Sequence, residues 1–294
     1  MIKEQINQTA KEIEEIIMPF LPDVIGPQKT VFEAMEYTMK AGGKRLRPML
    51  MLETYKMFGG KSKVIEPFMA AIEMIHTYSL IHDDLPALDN DDYRRGKKTA
   101  HVVYGEAMAI LAGDALLNYA FETASKAFQY SDHLENVAKA MQILAKKPGV
   151  FGMIGGQVVD VELEGQPLTM DDIQFIHTKK TAALIEASMM IGAALAGAGE
   201  GEIQMMKRIA RKIGIAFQIQ DDILDVIGNE EELGKPVGSD EKNQKTTYVT
   251  LVGLEQAKED VAKMSETAKR QLAMFIQEDP FLLDLVTYLI DRTY

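Results

Sequence analysis

The sequence predicts an all-α protein, and three observations carry that reading. Apolar residues recur at three- and four-residue spacing through residues 12–18, 31–40, 67–82, 107–128 and 261–277, the period of an amphipathic helix. Alternating, strand-like runs are scarce. No Pro-, Gly- or Ser-rich linker divides the chain, so residues 1–294 read as one domain, long but within what a large helical core can hold.

The element boundaries follow from local chemistry. Pro48 stands early in an apolar run, where a first-turn proline is tolerated. Thr169 with Asp172 forms a capping pattern that opens a helix running towards Ala196. The Gly197-Ala198-Gly199-Glu200-Gly201 stretch breaks it. With no strand before it, this stretch is a loop and not a dinucleotide fingerprint. Asp279-Pro280 reads as a cap and first-turn proline for the last helix. Residues 182–199 are the most apolar segment, but Glu186 and several glycines and alanines make it a buried helix and not a membrane span, which needs about 20 mostly apolar residues.

Hydrophobic residues make up 47% of the chain, with 19 methionines and no tryptophan. Methionine fills irregular apolar space well. The absence of cysteine removes disulfides and thiolate metal sites and suits a reducing compartment. The charged, amphipathic start of the chain lacks the apolar core of a secretory signal, so a cytoplasmic location is expected. The net charge of −12 and the lack of a basic stripe argue against nucleic acid as a partner. An acidic protein can still bind an anion when cations bridge the two.

Two aspartate clusters supply such a bridge. Asp221, Asp222 and Asp225 close an apolar run, and on one helix Asp221 and Asp225 share a face one turn apart. Like charges there repel and call for a cation. Carboxylates and water suit a hard ion such as Mg²⁺, which completes its shell with phosphate. Asp83, Asp84 and Asp89 follow a second apolar run. Six residues do not fit one face of a straight helix, but Pro86 ends or bends the helix and can bring Asp89 back towards Asp83. Arg94 and Arg95 come next, and guanidinium forks match diphosphate oxygens.

Gly42-Gly43-Lys44-Arg45-Leu46-Arg47-Pro48, residues 83–96, Gly152-Met153-Ile154-Gly155-Gly156-Gln157, Lys180-Thr181, Phe217 to Asp225 and Gly234-Lys235-Pro236-Val237-Gly238-Ser239-Asp240 occur in this order. Together they resemble the trans-prenyl diphosphate synthase family over nearly the whole chain. The resemblance implies an antiparallel helix bundle around a deep apolar cavity, usually a homodimer, with isoprenoid diphosphates as the small-molecule substrates. It implies that Asp83, Asp84, Asp89, Asp221, Asp222 and Asp225 hold Mg²⁺, three ions in all, with Mn²⁺ as an alternative. Arg94, Lys180, Thr181, Gln218, Lys235 and Lys245 match positions around the allylic diphosphate. Relatives often carry a histidine before the functional lysine, where this chain has Lys179; Thr181 after Lys180 marks Lys180 as that lysine. Lys44, Arg47, His76 and Arg95 match the isopentenyl diphosphate pocket and would supply cations where no metal does, with Arg292 as a further contributor. Phe217 would shield a carbocation with its ring face.

The implied reaction condenses isopentenyl diphosphate with dimethylallyl or geranyl diphosphate. The allylic C–O bond ionises, the isopentenyl double bond attacks, and the departing diphosphate takes the proton. Tyr78 and Ser79 lie five and four residues before Asp83, so Tyr78 stands roughly 7.5 Å down the helix. An aromatic ring there, with the longer spacing inside the first motif, resembles the bacterial farnesyl-forming pattern. Geranyl- or geranylgeranyl-forming synthases share the catalytic motifs. A non-catalytic partner subunit would be expected to have lost an aspartate cluster, and a terpene cyclase would not need the Gly-Gly-Lys-Arg-Leu-Arg-Pro segment.

Overall fold

The computed structural model describes residues 2–227, 246–276 and 280–290. Lys235, Lys245, Arg292, Asp279 and the 234–240 motif lie outside the described residues. The helices are α1 (Ile2–Ile17), α2 (Lys29–Met39), α3 (Leu46–Met57), α4 (Glu66–Asp83), α5 (Ala100–Tyr104), α6 (Glu106–Ser125), α7 (Leu134–Lys146), α8 (Met153–Glu162), α9 (Met170–Ile176), α10 (Ala182–Leu195), α11 (Glu200–Ile227), α12 (Tyr248–Val252), α13 (Leu254–Ala273) and α14 (Phe281–Ile290). The all-α reading holds. A two-stranded hairpin, β1 (Tyr93–Arg94) with β2 (Lys97–Lys98), interrupts the helices; strands this short leave no alternation to read.

Buried apolar residues from Ile6 to Ile290 form one core cluster. α4 and α10 are its centre. α4 packs on α6 and α3, and α10 on α3, α7 and α11. α10 is apolar nearly all round, the signature of an enclosed helix, while α4 is buried over most of its length and turns most of its polar residues towards the cavity. Every residue of α10 is buried, Glu186 included. The 63–83 stretch is long and apolar enough to cross a membrane by length and composition, but 78% of its most apolar 18-residue window is buried inside the fold. It is a core helix. α1 shows the contrasting pattern, with Ile6, Ala10, Ile13 and Ile17 inside and a charged outer face.

Thr169 caps α9 as expected: Asp172 N–H donates to its Oγ1 and Thr169 N–H donates to the Asp172 carboxylate. The path from there towards Ala196 is helical, but His177–Thr181 is a π-helical turn. The extra residue shifts the faces of α9 and α10 relative to each other, a device common near functional sites. Pro48 lies in the first turn of α3. α13 begins at Leu254, ahead of the apolar period read at 261, because Gly253 at φ 84° starts it after α12.

Candidate active site

A cavity of about 1490 Å³ opens among α3, α4, α6, α8, the π turn and α11. Lys44, Arg47, His76, Tyr78, Ser79, Asp83, Arg94, Arg95, Lys180, Thr181, Phe217, Gln218 and Asp221 all border it. Residues from distant parts of the sequence, including one aspartate from each cluster, therefore face one space.

α4 ends at Asp83, and the chain folds back after Pro86. Asp89 N–H donates to the Asp83 carbonyl at 2.9 Å, and Asn90 N–H to Leu85 at 3.1 Å. Asp89 is exposed. Burial pushes the Asp83 carboxyl up to about 6; Lys180 and Arg94 oppose the rise, and Asp89 and Asp84 add to it. A carboxylate so placed favours a bound cation. Asp84 points elsewhere. It is 4% exposed and does not border the cavity. Arg94 holds it with Nε at 2.7 and 3.0 Å from its two oxygens and a second nitrogen at 2.6 Å. Burial still raises the Asp84 carboxyl, against the pull of Arg94.

On the opposing helix, α11, Asp221, Asp222 and Asp225 close the last two turns. Asp222 and Asp225 are buried and border a smaller adjoining cavity of about 240 Å³, which shares Lys180, Thr181, Gln218 and Asp221 with the large one. Tyr248 N–H donates to Asp222 Oδ2 at 3.0 Å, and Gln218 Nε2 to its Oδ1 at 3.4 Å. His177 Nε2 lies 3.8 Å from the same carboxylate. Thr181 donates its hydroxyl to Gln218 Oε1 at 2.9 Å, tying the π turn to α11. Lys180 Nζ donates to Asp160 Oδ2 at 2.6 Å.

No group of three acidic or imidazole side chains among the described residues is close enough to cage a metal ion. That suits Mg²⁺, which is bound through one or two carboxylates plus waters and substrate phosphate more often than in an all-protein cage. The donor set is all oxygen, and burial with carboxylate neighbours already loads Asp83 towards cation binding, so the residues fit the ion.

The second cluster of charges is cationic. Arg95 donates to the carbonyl of Gly42, so the 42–47 loop and the hairpin meet. Gly43 makes this approach possible: at φ 139°, a Cβ would lie 2.6 Å from the Arg95 guanidinium. Burial holds Arg47 down to about 10, with Glu73 opposing and Arg95 adding. Among the described residues, its buried Nε has no hydrogen-bond partner. Such an orphaned donor on a cavity wall fits an anionic ligand. Lys44 lies over the Tyr288 ring of α14 at 5.5 Å.

His76 differs from the arginines around it. It borders the cavity as anticipated, but burial, followed by Arg47, Arg95, Arg94 and Arg45, drives its pKa well below the usual value. In the free protein this keeps its imidazole neutral. Tyr78 is buried, its ring edge-on to His82 at 5.8 Å, and Ser79 Oγ donates to the His76 carbonyl at 2.8 Å.

Sequence reasoning missed two residues here. Asp160 follows Gln157 by three residues on α8, which was a usable signal. Arg45 looked like one more member of a basic loop. It is instead buried in the left-handed region at φ 49°. It donates to Glu14 at 2.9 Å, Glu73 at 2.7 Å and the Met39 carbonyl at 2.6 Å, anchoring the loop that carries Lys44 and Arg47.

The model of the polyprenyl synthetase family matches residues 28–275. The chain belongs to the polyprenyl synthetase family. Within it, the chain is 45% identical over 271 residues to farnesyl diphosphate synthase from Geobacillus stearothermophilus, covering 92% of this chain and 91% of the relative. An apo structure of an FPP/GFPP synthase from Zymomonas mobilis aligns with a TM-score of 0.87 at 35% identity, covering 98% of both chains. Geranyltransferase from Helicobacter pylori, solved with magnesium and isoprenyl diphosphate, aligns with a TM-score of 0.83 at 32% identity, covering 98% of this chain and 96% of that one.

Proposed function

We propose that this polyprenyl synthetase is a farnesyl diphosphate synthase, with residues 1–294 as a single catalytic domain. It condenses isopentenyl diphosphate with dimethylallyl or geranyl diphosphate. The observation that carries the reading is the sorting of charge on one cavity. Asp83, Asp221 and Lys180 border one part of it, while Arg47, Arg95 and Lys44 cluster about the 42–47 loop and the hairpin. Two diphosphates that must be held differently need such a division.

Mg²⁺ held by Asp83, Asp89, Asp221, Asp222 and Asp225 would stabilise the charge that develops on the leaving diphosphate. Asp84 contributes chiefly through Arg94, which it orients. Lys180, Thr181 and Gln218 position the allylic diphosphate from the π turn and α11, with Lys235 and Lys245 joining them. Lys44, Arg47 and Arg95 bind the isopentenyl diphosphate, and neutral His76 hydrogen-bonds beside them. Phe217 borders the space where the allylic cation forms and shields it from water. The isopentenyl π electrons form the new C–C bond, and the departing diphosphate accepts the proton. Tyr78 limits the tail to farnesyl length.

The chain works as a homodimer in the cytoplasm. Ile110 and Leu111 on α6 and Phe151, Ile154, Val158 and Val161 on or beside α8 are exposed, an apolar surface of the kind a partner copy covers. The test is incubation of the purified protein with isopentenyl and geranyl diphosphates and Mg²⁺, with chromatography of the dephosphorylated products. Farnesol that disappears with EDTA and returns with added Mg²⁺ is the expected result. No condensation with any allylic diphosphate would overturn the proposal.

A further inference from the structure

The π turn borders a second cavity, of about 430 Å³, that plays no part in the chemistry above. Lys180 faces the catalytic cavity, and its neighbour Lys179 faces this one. Six cations line it: Lys139 and Lys146 on α7, Lys147 just beyond, Lys179 on the turn, and Lys207 and Arg211 on α11. Only Glu186 and Glu200 oppose them there. In a chain of net charge −12, this concentration of positive charge is out of keeping with the rest of the molecule.

A purely structural role covers part of the cluster. Glu186, 2% exposed on α10, accepts from Arg211 Nε at 2.7 Å and from Lys147 Nζ. These bonds join α7, α10 and α11. Lys139 lies 3.7 Å from Glu200, and Lys179 donates to the Phe151 carbonyl at 2.9 Å. Among the described residues, Lys146 and Lys207 have no ion-pair partner. Lys207 and Arg211 stand one turn apart on α11, where like charges repel. Burial holds Lys147 below the usual lysine range, and the nearby Lys207 and Arg211 add to this against the pull of Glu186.

We infer that this cavity is a binding site for an oligophosphate anion, separate from the catalytic cavity. A single carboxylate would answer one cation. The donors come from α7, the π turn and α11, and an anion with several oxygens spread over two or more phosphoryl groups can accept from all three. Inorganic pyrophosphate and a nucleoside diphosphate both present that chemistry.

Calorimetric titration of the full-length protein in EDTA, with pyrophosphate and with ADP as the two probes, tests the site. Three proteins are compared: wild type, Lys146→Glu/Lys207→Glu, and Arg47→Ala/Arg95→Ala. The wild type is expected to take up one equivalent that survives in the arginine variant. The lysine variant should bind that equivalent at least about tenfold more weakly, since each lost charged hydrogen bond is worth about 1.5–3 kcal/mol. Its turnover without added anion should stay within about twofold of wild type, because the altered side chains make no contact with the catalytic residues. Uptake of both probes identifies the phosphoryl groups as the recognised feature, and uptake of ADP alone adds the nucleoside to it. If circular dichroism shows the lysine variant misfolded, Lys146→Gln/Lys207→Gln takes its place. Isotherms for both probes that superimpose on those of the wild type, or the absence of any equivalent beyond the one lost in the arginine variant, would overturn the inference.

Discussion

Asp89 N–H donates to the carbonyl oxygen of Asp83 at 2.9 Å, closing a backbone loop that brings the ends of the first acidic motif together. Asp83 borders the cavity from the end of α4, and its carboxyl is pushed up to about 6 by burial and by its neighbours. Asp83→Asn preserves the loop and removes the charge. It should lower kcat by about 10² or more, the scale of losing an electrostatic contact made in the transition state, and shift the Mg²⁺ activation curve to higher concentration. Steady-state rates across a Mg²⁺ series check both. An unchanged curve would take Asp83 out of the metal set.

Arg47 places function and stability in opposition. Its charge is disfavoured by burial, and its Nε lacks a partner. Arg47→Ala should raise KM for isopentenyl diphosphate more than about tenfold, since a charged hydrogen bond is worth about 1.5–3 kcal/mol. KM for the allylic substrate should change little. The melting temperature of the free protein should hold or rise, because truncation on an open wall creates no sealed void and relieves repulsion with Arg95. Kinetics with each substrate varied in turn, alongside a thermal melt, separate the effects.

These two residues also show what the sequence makes legible. A carboxylate at the end of an apolar helix is visible in one dimension, because charge against helical period is a local pattern. Pro86 announced the turn that brings Asp89 back. Arg45 and Arg47 were indistinguishable in sequence. What separates them is the left-handed backbone at Arg45 and the carboxylates of Glu14 and Glu73, 31 and 28 residues away, and no local pattern encodes partners that distant. The π turn was hidden for a related reason. One inserted residue leaves the composition of 169–196 helical and changes only which faces of α9 and α10 align. The neutral state of His76 in the free protein is likewise invisible in sequence, since a count of nearby arginines does not show how closely they surround it.

His76 gives a pH dependence with a definite sign. In the unfolded chain it takes up a proton near pH 6.5; in the folded protein it does so only well below that. Between the two values the unfolded state binds more protons, so His76 costs stability as pH falls below 6.5. At pH 5.5 this amounts to about 1 kcal/mol. His76→Asn should therefore lose less stability than wild type between pH 7.5 and 5.5, by about that amount. Urea midpoints of both proteins at the two pH values measure it; parallel losses would mean that folded His76 titrates normally.

Tyr78 borders the cavity from α4, five residues before Asp83, and its phenol is pushed up to about 12 by burial and by Asp83. It therefore stays neutral and acts through its bulk. On the proposal that the ring meets the growing tail and not the reacting carbons, Tyr78→Ala should yield products longer than farnesyl while turnover per condensation remains within about tenfold of wild type. Reversed-phase separation of the products decides it. A variant that still stops at farnesyl places the floor elsewhere.

Gly156 tests whether the π turn sets the catalytic geometry. It is buried in α8, and a Cβ there would lie 2.3 Å from the backbone nitrogen of Lys180 and 2.7 Å from Lys179 Cβ. Backbone cannot yield as a side-chain tip can, so Gly156→Ala must push α8 and the turn apart, at about 1–3 kcal/mol of stability. The same displacement stretches the Lys180–Asp160 pair, which closes at 2.6 Å. Gly156→Ala should therefore lower kcat by about tenfold or more, on the scale of displacing a catalytic contact by part of an ångström. Asp160→Asn should also reduce kcat, by releasing Lys180. If both act through the position of Lys180, the double variant should be less impaired than the product of the two single effects. A strictly multiplicative loss would mean that Gly156 matters for packing alone and that the turn does not carry Lys180 into place.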